Sequence, residues 1–91
     1  MEIDTQVVEN MVTNFDDLDI QIYEEDIASV TYTIKMYEQK ISDTLMTVFD
    51  EPENKQRDKF VEKLNQKVSQ LKRRNRSLKA IVKEYYKQNK D

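Results

Sequence analysis

Cysteine, histidine, glycine and tryptophan are absent from this 91-residue chain, and proline occurs once. Without cysteine there is no disulfide framework and no thiolate chemistry. Without histidine the usual general base near neutral pH is missing, as is the commonest metal ligand. Without glycine no phosphate-cradling loop can be written, because such loops need backbone conformations that glycine supplies. Apolar runs reach only two or three residues, so neither a membrane span nor a signal peptide is expected. Paired carboxylates such as Glu24 and Glu25 have no pocket to work in. The expectation is a non-enzymatic, cytoplasmic protein with no catalytic, cofactor-binding or metal-binding residues and no membrane partner.

Hydrophobic residues make up 37% of the chain and charged residues 36%. So short and polar a chain forms one small domain with a thin core. Long helices that share a seam with another chain are the usual remedy. Abundant Lys, Asn and Ile beside only two alanines, Ala28 and Ala80, match the bias of an AT-rich genome, such as a low-GC bacterium or its phage.

The net charge of −3 hides an asymmetry. Residues 1–54 carry 14 acidic and 2 basic side chains, whereas residues 55–91 carry 13 basic and 4 acidic. The division falls at Pro52, which cannot sit inside a helix. It is read as the turn between two helical segments or as the first-turn residue of the second, with Asn54 as an alternative N-cap. The expected organisation is an acidic helical segment at 1–50, a turn at 51–56 and a basic coiled-coil helix at 57–88.

In the second segment Val61, Leu64, Val68, Leu71, Asn75, Leu78, Val82 and Tyr85 recur at spacings of three and four. Placed in a heptad, Val61, Val68, Asn75 and Val82 are a positions, and Leu64, Leu71, Leu78 and Tyr85 are d positions. β-branched residues at a with leucine at d favour two parallel strands, and a single Asn at a fixes register and strand number. Over 61–85 this pattern resembles the zipper of basic leucine zipper transcription factors. The resemblance implies a parallel homodimer through those eight residues. It does not extend to DNA binding, because the stretch from Glu51 to Phe60 is mixed in charge and interrupted by Pro52.

In the first segment Ile20, Tyr23, Ile27, Val30, Ile34, Tyr37, Ile41 and Val48 fit the same spacing, with Leu45 and Phe49 alongside. The spacing predicts a helix from about Leu18 to Phe49, with Asp16 or Asp17 as N-cap. Leu18, Ile20 and Ile22 also alternate, as do Val30, Tyr32, Ile34 and Met36, so a β-hairpin turning at Glu24-Glu25-Asp26 competes. Those turn residues lack the Gly or Asn that such turns want. A short helix at about Ile3 to Asn14 uses Ile3, Val7, Val8, Met11, Val12 and Phe15.

Two pairings compete for the basic seam. A parallel homodimer sets Lys67 near Lys72 and Arg74 near Lys79 of its partner, and both pairs repel. Folding the chain back at Pro52 brings together residues whose numbers sum to 105. Ile41 then meets Leu64, Tyr37 meets Val68, Ile34 meets Leu71, Ile27 meets Leu78 and Tyr23 meets Val82. Asn75 would face Val30, a poor fit if buried. A dimer of hairpins satisfies both patterns. The expected fold is therefore all-α: a helical hairpin with a short N-terminal helix and a C-terminal dimeric coiled coil.

Two charged surfaces stand out. Lys72, Arg73, Arg74, Arg76, Lys79 and Lys83 form a basic stretch that is either a solvated face or a grip for an acidic protein or nucleic acid. Asp16, Asp17, Asp19, Glu24, Glu25 and Asp26 form an acidic block. It is either a helix start favoured by the dipole or a phosphate-like surface that inhibits a nucleic-acid enzyme. The reading that follows is a homodimeric coiled-coil adaptor or assembly scaffold, with a viral (phage) capsid scaffold as a concrete case. Its expected partners are itself and a second protein. Nucleic acid is not favoured.

Overall fold

The computed structural model describes residues 5–46 and 55–90. They form three α-helices in the order α1 (Thr5–Val12), α2 (Asp17–Met46) and α3 (Lys55–Gln88). Helix α2 packs against α3 as a hairpin, and α1 packs on α3 near its C-terminal end. The molecule measures 60 × 22 × 16 Å. That length is close to α3 alone, since 34 residues at 1.5 Å each give about 51 Å.

Helix α2 starts where its sequence supplies a cap. The Asp16 carboxylate accepts from the Asp19 backbone N–H at 2.9 Å, and the Asp19 carboxylate accepts from the Asp16 N–H at 3.0 Å. This reciprocal pair satisfies two donors that a helix start otherwise leaves open. The first turn also carries Asp17 and Asp19, favourable at the positive end of the dipole. Asp16 is thus the N-cap, and the competing β-hairpin over 18–36 gives way to continuous helix. Helix α3 is rich in Lys, Arg, Gln and Leu, which form helices readily. It ends where the Asn89 side chain and backbone N–H both donate to the Tyr85 carbonyl, at 2.8 and 3.1 Å.

The expected boundaries move slightly. Helix α1 is shorter than the predicted span, and Ile3 lies outside the described residues, as do Val48 and Phe49. Helix α3 begins at Lys55, so the last two residues of the expected 51–56 turn are helical. Pro52 and Asn54 also lie outside the described residues.

The buried side chains form two clusters. One holds Val30, Ile34, Val68 and Leu78, with Tyr23, Ile27, Tyr37, Ile41 and Leu71 packed against it. It is the hairpin seam, built from residues the 105 register brings together. The other lies at the open end and holds Val8, Val12, Ile20, Ile81 and Tyr85, with Phe15, Tyr23 and Val82 packed against it. Phe15 and Tyr23 stack there at 5.3 Å between centroids. At the opposite end Lys40 lies 5.7 Å from the centre of the Phe60 ring, close enough for cation–π attraction. Glu38 pairs with Lys72, and Glu24 accepts from the Tyr86 hydroxyl. Both contacts sit on one flank and lie two heptads apart on each helix, so the antiparallel register holds along the hairpin.

Candidate interaction surfaces

The residues assigned by sequence to a dimer seam face inward. Leu64, Val68, Asn75, Leu78 and Tyr85 are buried, and Val61, Leu71 and Val82 are half-buried. Within the chain, Val68, Leu71 and Leu78 pack in the hairpin cluster with α2, and Val82 and Tyr85 pack in the open-end cluster with α1 and α2. A parallel pairing of α3 with a second α3 through the same face requires the hairpin to open. Helix α1 also uses Ile81, which no a or d position contains, and which the zipper spacing therefore missed.

Asn75 is the one buried polar residue among those described, with 6% of its surface exposed. Its Nδ2 donates to the Thr31 hydroxyl at 2.9 Å. Its Oδ1 is buried without a hydrogen-bond partner. The expected neighbour, Val30, is one residue away from the polar group that Asn75 finds. An orphaned buried acceptor costs roughly 1–3 kcal/mol, so the seam is weakest at its polar centre.

The acidic block is largely turned to internal use. Asp16 and Asp19 cap α2. Asp17 accepts a hydrogen bond from the Tyr85 hydroxyl, and Glu24 accepts from the Tyr86 hydroxyl at 2.8 Å. The bond to Asp17 pushes the Tyr85 phenol up to about 12, with desolvation and the nearby carboxylate charge adding to it. The bond to Glu24 raises the Tyr86 phenol for the same reason. Tyrosine hydroxyls, not the basic residues, tie the acidic end of α2 to α3.

The basic residues are otherwise. Lys72, Arg73, Arg74, Arg76, Lys79 and Lys83 are all exposed. Lys72 pairs with Glu38 at 3.5 Å; the other five pair with no carboxylate among the described residues. With the seam at a and d, positions e, b and f form one flank of α3. That flank carries Lys72, Arg73, Arg76, Lys79, Lys83 and Lys87 in succession. Helix α1 covers the other flank, where Gln88 donates to the Glu9 carbonyl at 3.0 Å and Thr13 donates to Gln88 at 3.2 Å. Lys87, in the last turn, extends the row beyond the stretch picked out by sequence.

A further surface lies on α2. Its seam residues Ile20, Tyr23, Ile27, Val30, Ile34, Tyr37 and Ile41 occupy one face. On the opposite face Leu18, Ile22, Tyr32 and Met36 fall in line at helical spacing, with Glu25 and Ser29 between the two apolar pairs. Leu18, Ile22, Tyr32 and Met36 are 64%, 49%, 66% and 56% exposed. A helix apolar on two opposite faces is ordinarily covered on both.

An open depression of about 650 Å³ is lined by α3 alone, from Asp58 to Arg73. Amide and hydroxyl side chains (Asn65, Gln66, Ser69, Gln70) share its lining with Asp58, Glu62, Arg73 and Val61. Among the described residues no group of three or more acidic side chains is placed to hold a metal ion, and no helix is long and apolar enough to cross a membrane. No protein-family model, curated protein or solved structure matches the chain.

Proposed function

We propose that the protein is a non-enzymatic helical adaptor that acts as a homodimer, joined through the outer face of α2. The observation that carries this reading is the second apolar stripe of α2. The first stripe already meets α3 and α1, so a monomer leaves Leu18, Ile22, Tyr32 and Met36 in water. Four large apolar side chains exposed along one face of a soluble protein mark an interaction site.

A second copy fits this stripe when the two α2 helices run antiparallel. About a two-fold axis at the level of Ile27, Leu18 lies opposite Met36, Ile22 opposite Tyr32 and Glu25 opposite Ser29. Each apolar residue thus meets an apolar one, and the central carboxylate meets a hydroxyl that can donate to it. Such self-complementarity is what a two-fold interface demands. Charge favours the same direction. An antiparallel pair sets the acidic block 16–26 against residues 28–38 of the partner, which carry Lys35 and a single carboxylate. A parallel pair stacks six carboxylates on six. The stripe is about 27 Å long at 1.5 Å per residue. A one-helix face of that length buries roughly half the ~800 Å² per partner of a standard interface. The dimer is therefore weak and reversible, which suits an assembly factor that must later be released. A capsid-assembly scaffold is a concrete case.

Sedimentation equilibrium tests the reading. The native chain should be a dimer at tens of micromolar. The double variant Ile22→Asp/Met36→Asp should be a monomer with an unchanged helical circular dichroism spectrum, since both side chains point away from the seam. A monomeric native chain, or a dimer indifferent to the double variant, overturns the proposal.

A further inference from the structure

We infer that the open flank of α3 is a docking strip for an acidic amphipathic helix of another protein. The inference extends the adaptor reading by naming the chemistry of the second partner, but it does not depend on the dimer.

The strip is defined by what covers the rest of α3. The seam is closed by α2, and the opposite flank is occupied by α1 through Ile81, Gln88 and Tyr85. On the e, b and f side of α3, what remains open from Lys72 to Lys87 is a row of six cations. Only Lys72 has a carboxylate partner among the described residues. Five neighbouring cations left unpaired on one helix repel one another, while Asp17, Asp19 and Glu24 of α2 are engaged elsewhere, with Tyr85 and Tyr86 and in the helix cap. The chain therefore does not neutralise this flank, and a partner of opposite charge gains by doing so.

The spacing selects the shape of that partner. Arg76 and Lys83 repeat at seven residues, as do Lys72 and Lys79. Seven residues of helix rise about 10.5 Å. A second helix lying along α3 presents carboxylates at the same interval when they recur in its own heptads, as in the charged flanks of coiled coils. Double-stranded DNA offers a different pattern, with one phosphate charge per about 1.7 Å of axis over a much wider body. The strip is one helix wide and is bordered on the α2 side by Glu24 and Glu38, both exposed. Those carboxylates lie within a Debye length of the row and repel a broad polyanion more than a narrow helix. Between the cations the exposed Ala80 and the ring of Tyr86, 53% exposed, give the apolar side of an amphipathic helix something to rest on.

The test uses the full chain and two probes: a helical peptide with glutamate at heptad spacing and a mixed-sequence DNA duplex. Binding is followed by fluorescence anisotropy at low and physiological salt. The peptide should bind more tightly than the duplex, and salt should weaken it. Arg76→Glu/Lys83→Glu should weaken peptide binding about tenfold or more, since two attractions across the strip become repulsions. Lys63→Glu/Lys67→Glu makes the same change in net charge off the strip and should have little effect. All four side chains are exposed, so both variants should keep the native helical spectrum. Peptide binding should persist in Ile22→Asp/Met36→Asp, which separates this inference from the dimer. It is overturned if the peptide does not bind, if the two charge variants weaken it equally, or if the duplex binds more tightly.

Discussion

Asn75 and Thr31 meet across the α2–α3 seam, amide nitrogen to hydroxyl oxygen, at 2.9 Å. Among the described residues this bond is the one hydrogen bond that the Asn75 side chain makes, and its carbonyl oxygen is left buried and unpartnered. The pair predicts a divided response to substitution. Thr31→Val should destabilise the chain by about 1–2 kcal/mol, because the Asn75 amide then loses its acceptor as well. Asn75→Val should be neutral or stabilising by up to about 1 kcal/mol, because it removes the orphaned carbonyl. Thermal melts of both variants and of the double variant measure the coupling. A shift of Asn75→Val toward trimers would instead indicate that Asn75 faces its own copy in a parallel zipper.

The Tyr85 phenol should titrate near 12 and not near its ordinary value of 10. The folded state thus holds this proton more tightly than the unfolded chain does. The resulting stabilisation is complete below pH 10 and is lost as the pH rises from 10 through 12. Spectrophotometric titration should show Tyr85 and Tyr86 ionising later than free tyrosine, and the delayed step assigned to Tyr85 should vanish in Tyr85→Phe. Removal of the carboxylate in Asp17→Asn should bring Tyr85 back toward 10.

Val12 is the most fully buried large side chain among the described residues, at 1% exposure. Val12→Ala should cost about 2 kcal/mol by opening a cavity in the cluster between α1 and α3. Because this cluster lies at the open end, the loss should be local. Hydrogen exchange should quicken in α1 and in the last turns of α3 while residues near Val68 keep their protection.

The two long helices should recognise each other as separate peptides. A mixture of residues 16–50 and 55–91 should be far more helical than either peptide alone, because each supplies the other's seam. Salt should weaken this mixture, since the two peptides carry opposite net charge that salt screens. The basic peptide alone should associate weakly at low salt and more strongly at high salt, where repulsion among Lys67, Lys72, Arg74 and Lys79 is screened. A basic peptide that is as stable alone as in the mixture at low salt would mean that α3 prefers its own copy.

Much of the hairpin could be read in the sequence. The antiparallel register followed from aligning two apolar stripes about Pro52, and the start of α2 followed from the Asp-rich stretch before Leu18. The partner of the α3 seam was not legible, because a heptad states which face is buried and not which helix buries it. An asparagine at an a position reads the same whether it meets Thr31 or its own mate. The β-like alternation over 18–36 has a definite cause. Ile20, Val30 and Ile34 belong to the seam of α2, while Leu18, Ile22, Tyr32 and Met36 belong to its outer face. Interleaving two opposite helical stripes yields apolar residues two apart, which is the period of a strand. The outer stripe was hidden inside that ambiguity. The docking of α1 was hidden as well, since it depends on Ile81 at a flank position and on Gln88, a polar residue that spacing does not single out.

The placement of α1 also orders the events of folding. Contacts near the Lys40–Phe60 end link residues about 20 apart, whereas the Gln88 bond to the Glu9 carbonyl spans 79 residues. Closing the shorter loop costs less entropy, so pairing spreads from that end toward the other. Helix α1 leaves the ribosome before α2 and α3 yet finds its seat after them, since the turns of α3 that receive it are made after both the rest of α3 and α2. Until then the N-terminal part of α2 carries two bare apolar faces. A nascent or truncated chain is thus stickier than the finished protein, and the arrival of the final turns of α3 marks the point at which one of those faces is withdrawn and the other is left on offer.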